Sequence, residues 1–549
     1  MYRLLITMAA AGAAAMLALA PATSANRNGA PKRALSTASA RALAIQPNGK
    51  IVAGGQRRGT GYSPDPAESS DFALARYKSN GRLDPSFGVR GRVVTDFGLS
   101  YDYLQAVALQ PDGKIVAAGA TWPRNEGAPS FALARYDSHG RLDPRFGKHG
   151  KVRIRFGHFG SGAYALAVQP DGRIIAAGLN YRSEDTPGSW VVARFNPDGS
   201  RDRSFGDGGS VFTPVAPVTY IAGMTVDSNG KIILAGDECA NDDPPTACAL
   251  TLVRLNPDGS PDQSFGSSGK VSTQFPGFDD VGACGVAVQG NGQIVAAGTA
   301  GRDDNNYNFV LARYNADGSL DSGFGEGGTV MTDLEPEAET SDDYASGLAL
   351  EPDGAIVVAG VNPTEDFVVA VYDTHGVLDP SFGGTGFVHT DVSSRKHDDS
   401  WARAVAIAPD GRIVTVGENG NRFALVRYMR DGGLDKAFGK GGTVHTAFGS
   451  PATVVVSFAA ADKDRGTLIR WGTVVEVEAR GFNLYREQHG HHRVRVNSGL
   501  MPGRGSDTRG ASYSFLDTAA PPHGRLYYSL ELVKRDGTRV SYGRVEAER

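Results

Sequence analysis

Aspartates stand singly or in pairs just ahead of an apolar run that recurs along the chain: Asp102, Asp279 and Asp280, Asp342 and Asp343, Asp398 and Asp399. Tyr101, Tyr103, Trp122, Tyr344 and Trp401 lie beside them, and Tyr62, Tyr181 and Tyr307 occupy comparable stretches. Carboxylates that converge can hold a hard cation such as Ca2+, which prefers oxygen ligands. Asp280, Asp343 and Asp399 are the candidate ligands; no other cofactor is expected. Paired carboxylates can also divide acid and base roles if their environments separate their pKa values. Aromatic faces beside carboxylates suit a sugar or a peptide. The plainer alternative is a solvated acidic rim with its aromatics packed under loops. Other chemistry has little to stand on. We find no nucleophile elbow, no H-E-x-x-H and no P-loop. His489, His491 and His492 sit in a short string that reads as a solvated turn. Of three cysteines, Cys239 and Cys248 flank one hairpin loop and are a candidate disulfide, leaving Cys284 as an odd thiol. Three free thiols is the other reading. The short paired spacing of a cysteine metal site is missing.

What must position these residues is a repeat. ALAIQPNGKIVAGG (42–55), AVALQPDGKIVAAG (106–119) and ALAVQPDGRIIAAG (165–178) are copies of one segment. It returns four more times, and its turn glycines are Gly49, Gly113, Gly172, Gly230, Gly292, Gly354 and Gly411. Each copy holds four β-rich runs. Strand A is the ALAIQ-type run. Asn-Gly or Asp-Gly then marks a tight hairpin turn. Strand B is KIVAAG-like, strand C is FALARY-like, and strand D is the GxVxT segment. Nearly continuous apolar runs fit strands covered on both faces. Four strands per unit, seven times over, predict an all-β, seven-bladed β-propeller of four-stranded blades over residues 42–449. The 72 glycines suit its many turns.

QPDGKIVAAG followed by FALARY and LDPSFG resembles the delta-60 repeat, a β-propeller repeat of bacterial exported and surface proteins. The resemblance implies a fold and no shared activity. Blade four departs most, with GMTVDSNGKIILAG and ALTLVRL.

Seven internal copies separate framework from function. An aspartate before each SFG-like segment appears seven times, Asp84 and Asp143 among them. The strand C arginine appears six times, with Val371 in its place in blade six. We expect these Arg and Asp residues to pair or to anchor the turn. The string Asn315 to Asp321 is superficially similar to a calcium loop, but it lacks the terminal glutamate and fits a turn. The A–B and C–D loops repeat and share one end of each blade. The B–C and D–A loops vary and share the other, and the aspartates and aromatics above lie there. Variable loops on a constant scaffold are where binding usually sits.

Residues 450–549 read as a small β-sandwich. The stretch IRWGTVVEVEARGFNLYRE resembles fibronectin-III-like modules of bacterial exported proteins through Trp471, Glu476, Gly481, Phe482, Tyr485 and Arg486. The resemblance implies a spacer, attachment or binding role, with Trp471 as core. At the other end, Arg3, the apolar run Leu4 to Ala20 and the small residues after it predict a signal peptide over 1–25. Residues 26–41 are then a linker or an edge strand. No later run is apolar enough to span a bilayer, and we expect a secreted, periplasmic or cell-surface protein. Net charge −4 speaks against a nucleic-acid partner. The expectation is a non-catalytic binding or scaffold protein that engages a glycan, peptide or protein through the variable face. The alternative is an extracytoplasmic hydrolase or lyase with carboxylates at the channel mouth.

Overall fold

A computed structural model describes residues 38–58, 70–98, 101–122, 127–181, 187–213, 218–242, 245–302, 306–334, 341–362, 364, 366–393, 400–420, 422–448, 454–463, 465–476, 479–488, 493–505, 511–522, 524–534 and 539–548. The expected signal peptide, Tyr62, Asp398, Asp399 and the histidine string lie outside them. Two units divide the chain, Met1–Ala447 and Phe448–Arg549.

The first unit is a seven-bladed β-propeller. Each blade is an antiparallel four-stranded sheet in the order A-B-C-D, as in Ser161–Val168, Ile174–Tyr181, Pro187–Phe195 and Ser210–Thr213 of blade three. Blade one begins at Ala38–Ile45 and blade seven ends at Thr443–Thr446. Among the described residues each blade takes its four strands from one repeat, so the ring closes without strand exchange. The A–B turn is built as its sequence demands. Gly49 at φ +76° donates its N–H to the Gln46 carbonyl, and the Asn48 side chain accepts from Lys50 N.

One irregularity recurs in all seven strands A. A β-bulge skips Arg41, Gln105, Tyr164, Ala222, Cys284, Ser346 and Arg403 in the strand A–B register, one per blade. The bulge explains the strand B glycine of the repeat. A Cβ on Gly119 would stand 1.8 Å from the Tyr103 carbonyl oxygen, and one on Gly417 1.8 Å from that of Trp401. The other five copies meet strand A at 1.9–2.1 Å. Only glycine lets the bulged strand approach this closely.

Blades are joined by the repeated polar residues. The strand C arginine pairs with the turn aspartate at 2.6–3.0 Å in six blades. Its guanidinium also lies 4.3–4.8 Å over the phenylalanine of the SFG-like segment. A third contact crosses the seam: Arg76 donates to the Ser138 carbonyl of the next blade at 2.6 Å, and Arg427 closes the ring on the Ser79 carbonyl. Beside it, Tyr136 Oη bonds Thr95 Oγ1 of the previous blade at 2.8 Å, and Tyr77 does the same to Thr446 across the closure. The expected Arg–Asp anchor is present, and it carries blade-to-blade contacts as well.

The second unit is a β-sandwich. Ser512–Asp517, Gly466–Val475 and Val454–Lys463 form one layer and Ala479–Gln488, Leu526–Lys534 and Arg539–Glu548 the other, joined where Val454–Lys463 pairs in parallel with Arg539–Glu548. Trp471 is core, stacked 4.9 Å from Tyr513 and 5.7 Å from Phe482. Glu476 is buried and accepts from Thr473 Oγ1 at 2.7 Å, Tyr513 Oη at 2.5 Å and Gly505 N at 2.7 Å. The motif of this stretch is therefore framework.

Candidate functional site: the mouth of the central channel

Strands A line the axis of the propeller. All seven bulge residues are half-buried, and below them run the small and apolar A-x-A-type positions of the repeat. Chemistry concentrates at and above the bulges, toward the D–A loops. Arg403 pairs with Glu418 at 2.7 Å and covers the Trp401 ring at 4.6 Å. The Glu418 carboxyl would be raised by burial, but Arg403 and Arg41 hold it below its ordinary value. Tyr164 and Tyr181 share a 3.0 Å hydrogen bond, and burial pushes both hydroxyls up.

The aspartates separate into different roles. Asp102, Ser161, Thr219, Asp343 and Ser400 occupy one register position, two residues before the last paired residue ahead of the bulge. Asp102 accepts from Phe97 N at 2.7 Å and from Thr121 Oγ1 at 2.5 Å. Ser161 Oγ accepts from Phe156 N at 3.0 Å, and Asp343 from Leu334 N at 3.0 Å. These side chains close the D–A turn, and both aspartates are fully buried. That corrects the expectation of rim carboxylates for Asp102 and Asp343: a turn with no strand to pair needs a buried acceptor. It also takes Asp343 out of a cation site with Asp280, whose carboxylate accepts from Tyr307 Oη at 2.8 Å. Asp399, the third expected ligand, lies outside the described residues.

Two aromatic groups have different fates. Tyr307, Tyr344, Val361 and Trp401 form a buried cluster, with Tyr344 4.7 Å from Tyr307 and 6.2 Å from Trp401. Tyr344 and Trp401, expected as exposed contacts, instead pack the blade five to seven sector. Tyr101, Tyr103 and Trp122 stay half-buried, in contact at 6.4 and 5.5 Å. A cavity of about 320 Å³ lined by Gly127, Ala128, Ser130, Arg153 and Arg155 opens in the same blade. The sequence offered no signal for it, because its arginines come from strand D and its floor from the B–C loop.

Asp71, Asp96 and Asp102 bring carboxylate oxygens within 4.8 Å of one another. Arg57 pairs with Asp71 at 2.6 Å, and Lys151 Nζ donates to the Asp96 carbonyl. Arg57 and Lys151 thus bring positive charge beside the three carboxylates. Burial, with Asp96 and Asp71 adding to it, pushes the Asp102 carboxyl up to about 8. Cys239 and Cys248 form a disulfide across the blade four B–C hairpin, and Cys284 is a bulge residue whose thiol burial pushes up to about 12.

Fold and channel define an all-β chain that carries a propeller of four-stranded blades. The family model described as a domain of unknown function (DUF5122) beta-propeller matches residues 46–87, 110–146, 169–205, 228–265, 289–324 and 408–438. The matched segments miss blade six, where Val371 replaces the arginine. No curated protein matches the sequence. Among solved structures, the chain is similar to Drosophila Plexin A in complex with Semaphorin 1b, at 10% identity and TM-score 0.36 over 71% of this chain and 84% of that one. It is similar to the alpha-L-arabinofuranosidase Arb93A from Fusarium graminearum at 9% identity and TM-score 0.37, over 58% and 91%. A Fn3-like protein from Clostridium thermocellum is similar at 14% identity and TM-score 0.13, over 18% and 93%. Likeness at this level carries no argument about activity. Among the described residues no helix is long and apolar enough to cross a membrane.

Proposed function

We propose that this is an exported binding or scaffold protein of the delta-60 repeat kind, which engages a glycan, peptide or protein through its variable B–C and D–A loops. One observation carries the reading. The residues common to the blades bond to each other inside the framework, as Arg76 does to Asp84 and Ser138. What differs from blade to blade lies at the opposite end, where blade two carries the half-buried Tyr101, Tyr103 and Trp122 and, separately, an arginine-lined cavity. Aromatic anchors beside a charged rim are the usual composition of a recognition patch. The Cys239–Cys248 disulfide suits an oxidising compartment, in keeping with export. The C-terminal sandwich serves as a fibronectin-III-like spacer or attachment module.

The hydrolase or lyase reading has one feature in its favour, the raised Asp102 carboxyl beside Asp71 and Asp96. Asp102 is fully buried and committed to Phe97 and Thr121, so it does not reach a substrate. The test is a glycan and peptide array probed with the full chain and with Tyr103→Ala/Trp122→Ala. Binding that falls at least tenfold in the double variant, with unfolding unchanged, supports the reading. A loop-independent signal, or turnover of an arrayed glycan, would sink it.

A further inference from the structure

Strand D of blade two, Lys151–Ile154 with Arg155 after it, departs from its copies in charge. Arg153 stands opposite Ala132 of strand C. At that register the other six blades carry Val94, Phe212, Ser272, Met331, His389 and His445. Two residues on, where blade two has Arg155, they carry aspartate, proline, glutamine or alanine. The blade is therefore built elsewhere in the ring with neither arginine. Lys151, Arg153 and Arg155 share one face of the strand by its two-residue period, while Ile154 packs against the core. Lys151 is committed: it donates to the Asp96 carbonyl and covers the Phe97 ring. Arg153 and Arg155 are exposed, and among the described residues neither has an ion pair or a side-chain hydrogen bond.

The cavity of blade two is where these two cations meet. Arg153 and Arg155 line it together with Gly127, Ala128 and Ser130, and its volume is about 320 Å³. That is the small end of ligand pockets, which run from roughly 300 to 1,000 Å³, so the occupant is about the size of one sugar ring. Gly127 and Ala128 bring little or no side chain and keep the space open. No acid stands among the described lining residues. A guanidinium offers donors and no acceptor, so the lining calls for a ligand that accepts and carries negative charge. Residues two apart on a strand stand about 6.6 Å apart at the backbone. Two cations at that spacing with no acid between them repel, and an anion shared by both offsets the repulsion.

We propose that this cavity binds the oxyanion of a sugar-sized ligand, with Arg153 and Arg155 as paired guanidinium donors and Ser130 as a neutral polar contact. The planar guanidinium fork matches both a carboxylate and a phosphate, and it holds either through two parallel hydrogen bonds. The oxyanion can therefore come from a sugar acid or from a sugar phosphate. The proposal rests on the loop-face reading, because the B–C loop supplies Gly127 and Ala128, and it deepens that reading by naming the ligand class at this one place. It uses none of Tyr101, Tyr103 and Trp122.

The test is a saturation-transfer NMR titration of the full chain, at neutral pH and constant ionic strength, with glucuronate, with glucose 6-phosphate and with glucose as their neutral match. At least one of the two acids should bind about tenfold or more tighter than glucose. Tighter glucuronate assigns the site to a carboxylate, and tighter glucose 6-phosphate to a phosphate. Arg153→Gln/Arg155→Gln should lose the preference with the unfolding midpoint unchanged. Ala128→Phe, which fills the cavity and keeps its charge, should lose it too. No binding of either acid, equal binding of glucose, or an undiminished preference in Arg153→Gln/Arg155→Gln overturns the proposal. Those results with the array signal intact leave the loop-face reading standing, whereas an array signal that Tyr103→Ala/Trp122→Ala does not change counts against that reading alone.

Discussion

Tyr136 and Asp102 show how single polar groups act in this molecule. Tyr136 Oη reaches across a blade seam to Thr95, and five of the seven strand C positions repeat this bond. Phe195 cannot, and Ile154 stands where the threonine would. Both partners are apolar at that seam, which leaves no buried hydroxyl unpaired. Tyr136→Phe should therefore cost about 1 kcal/mol, and Tyr136→Phe/Thr95→Ile should recover most of it, as read by a double-mutant cycle in urea. Asp102 makes a prediction of opposite character. Its folded pKa is raised to about 8 by burial, so the folded chain holds a proton that the unfolded chain releases near pH 4. Its stabilising contribution is full below pH 4 and is lost as pH rises toward 8. Asp102→Asn keeps an acceptor for Phe97 N and should flatten the fall in thermal midpoint between pH 4.5 and 8.5. An unchanged slope in that variant would show that Asp102 is ionised throughout.

At the scale of the element, the bulge in strand A and the glycine in strand B are one device. The bulge turns a side chain into the channel and pushes a carbonyl toward the neighbouring strand. The glycine accommodates that carbonyl. Gly417→Ala places a methyl 1.8 Å from the Trp401 oxygen, and it should destabilise the propeller by about 3 kcal/mol or more, measured by chemical denaturation. Alanine at Gly113, where a Cβ meets open space, is strained only by its φ of +82° and should cost less. The two outcomes separate close approach from turn geometry as the reason for a repeated glycine.

Across the whole molecule the seams decide stability. Each SFG-like glycine donates its N–H to the C–D turn of the next blade, including Gly439 to Asn80 at 2.9 Å across the closure and Gly383 to Asp431 at 2.9 Å where Val371 replaces the arginine. Charge supports the same seams. Burial raises the Asp84 and Asp262 carboxyls, but hydrogen bonds from Ser86 and Lys50, and from Lys231 and Ser264, with the strand C arginines, hold both well below the usual carboxylate range. Asp202 and Asp321 are lowered as well. The contribution of such groups is present above pH 4 and lost as pH falls below it. Set against the opposite trend of Asp102, this places the maximum thermal midpoint between pH 4 and 7. A midpoint that keeps rising as pH falls below 4 would show that the arginine–aspartate seams contribute little.

The propeller was legible in the sequence because its information is local and repeated. A turn needs Asn-Gly or Asp-Gly, a strand buried on both faces needs an apolar run, and seven copies make the pattern unmistakable. The recurring arginines and aspartates were legible as framework for the same reason. The channel was not. Whether Asp343 faces a rim or closes a turn, and whether Tyr344 is exposed or stacked on Tyr307, depends on which blade packs beside it. The bulge that recurs at side chains of six different kinds leaves no mark in composition, since it is a mismatch between two strands and not a property of either. The acidic and aromatic residues were visible one by one in the chain; only the closed ring decided which of them are buried struts, like Asp343 and Tyr344, and which, like Tyr103, stay half-buried.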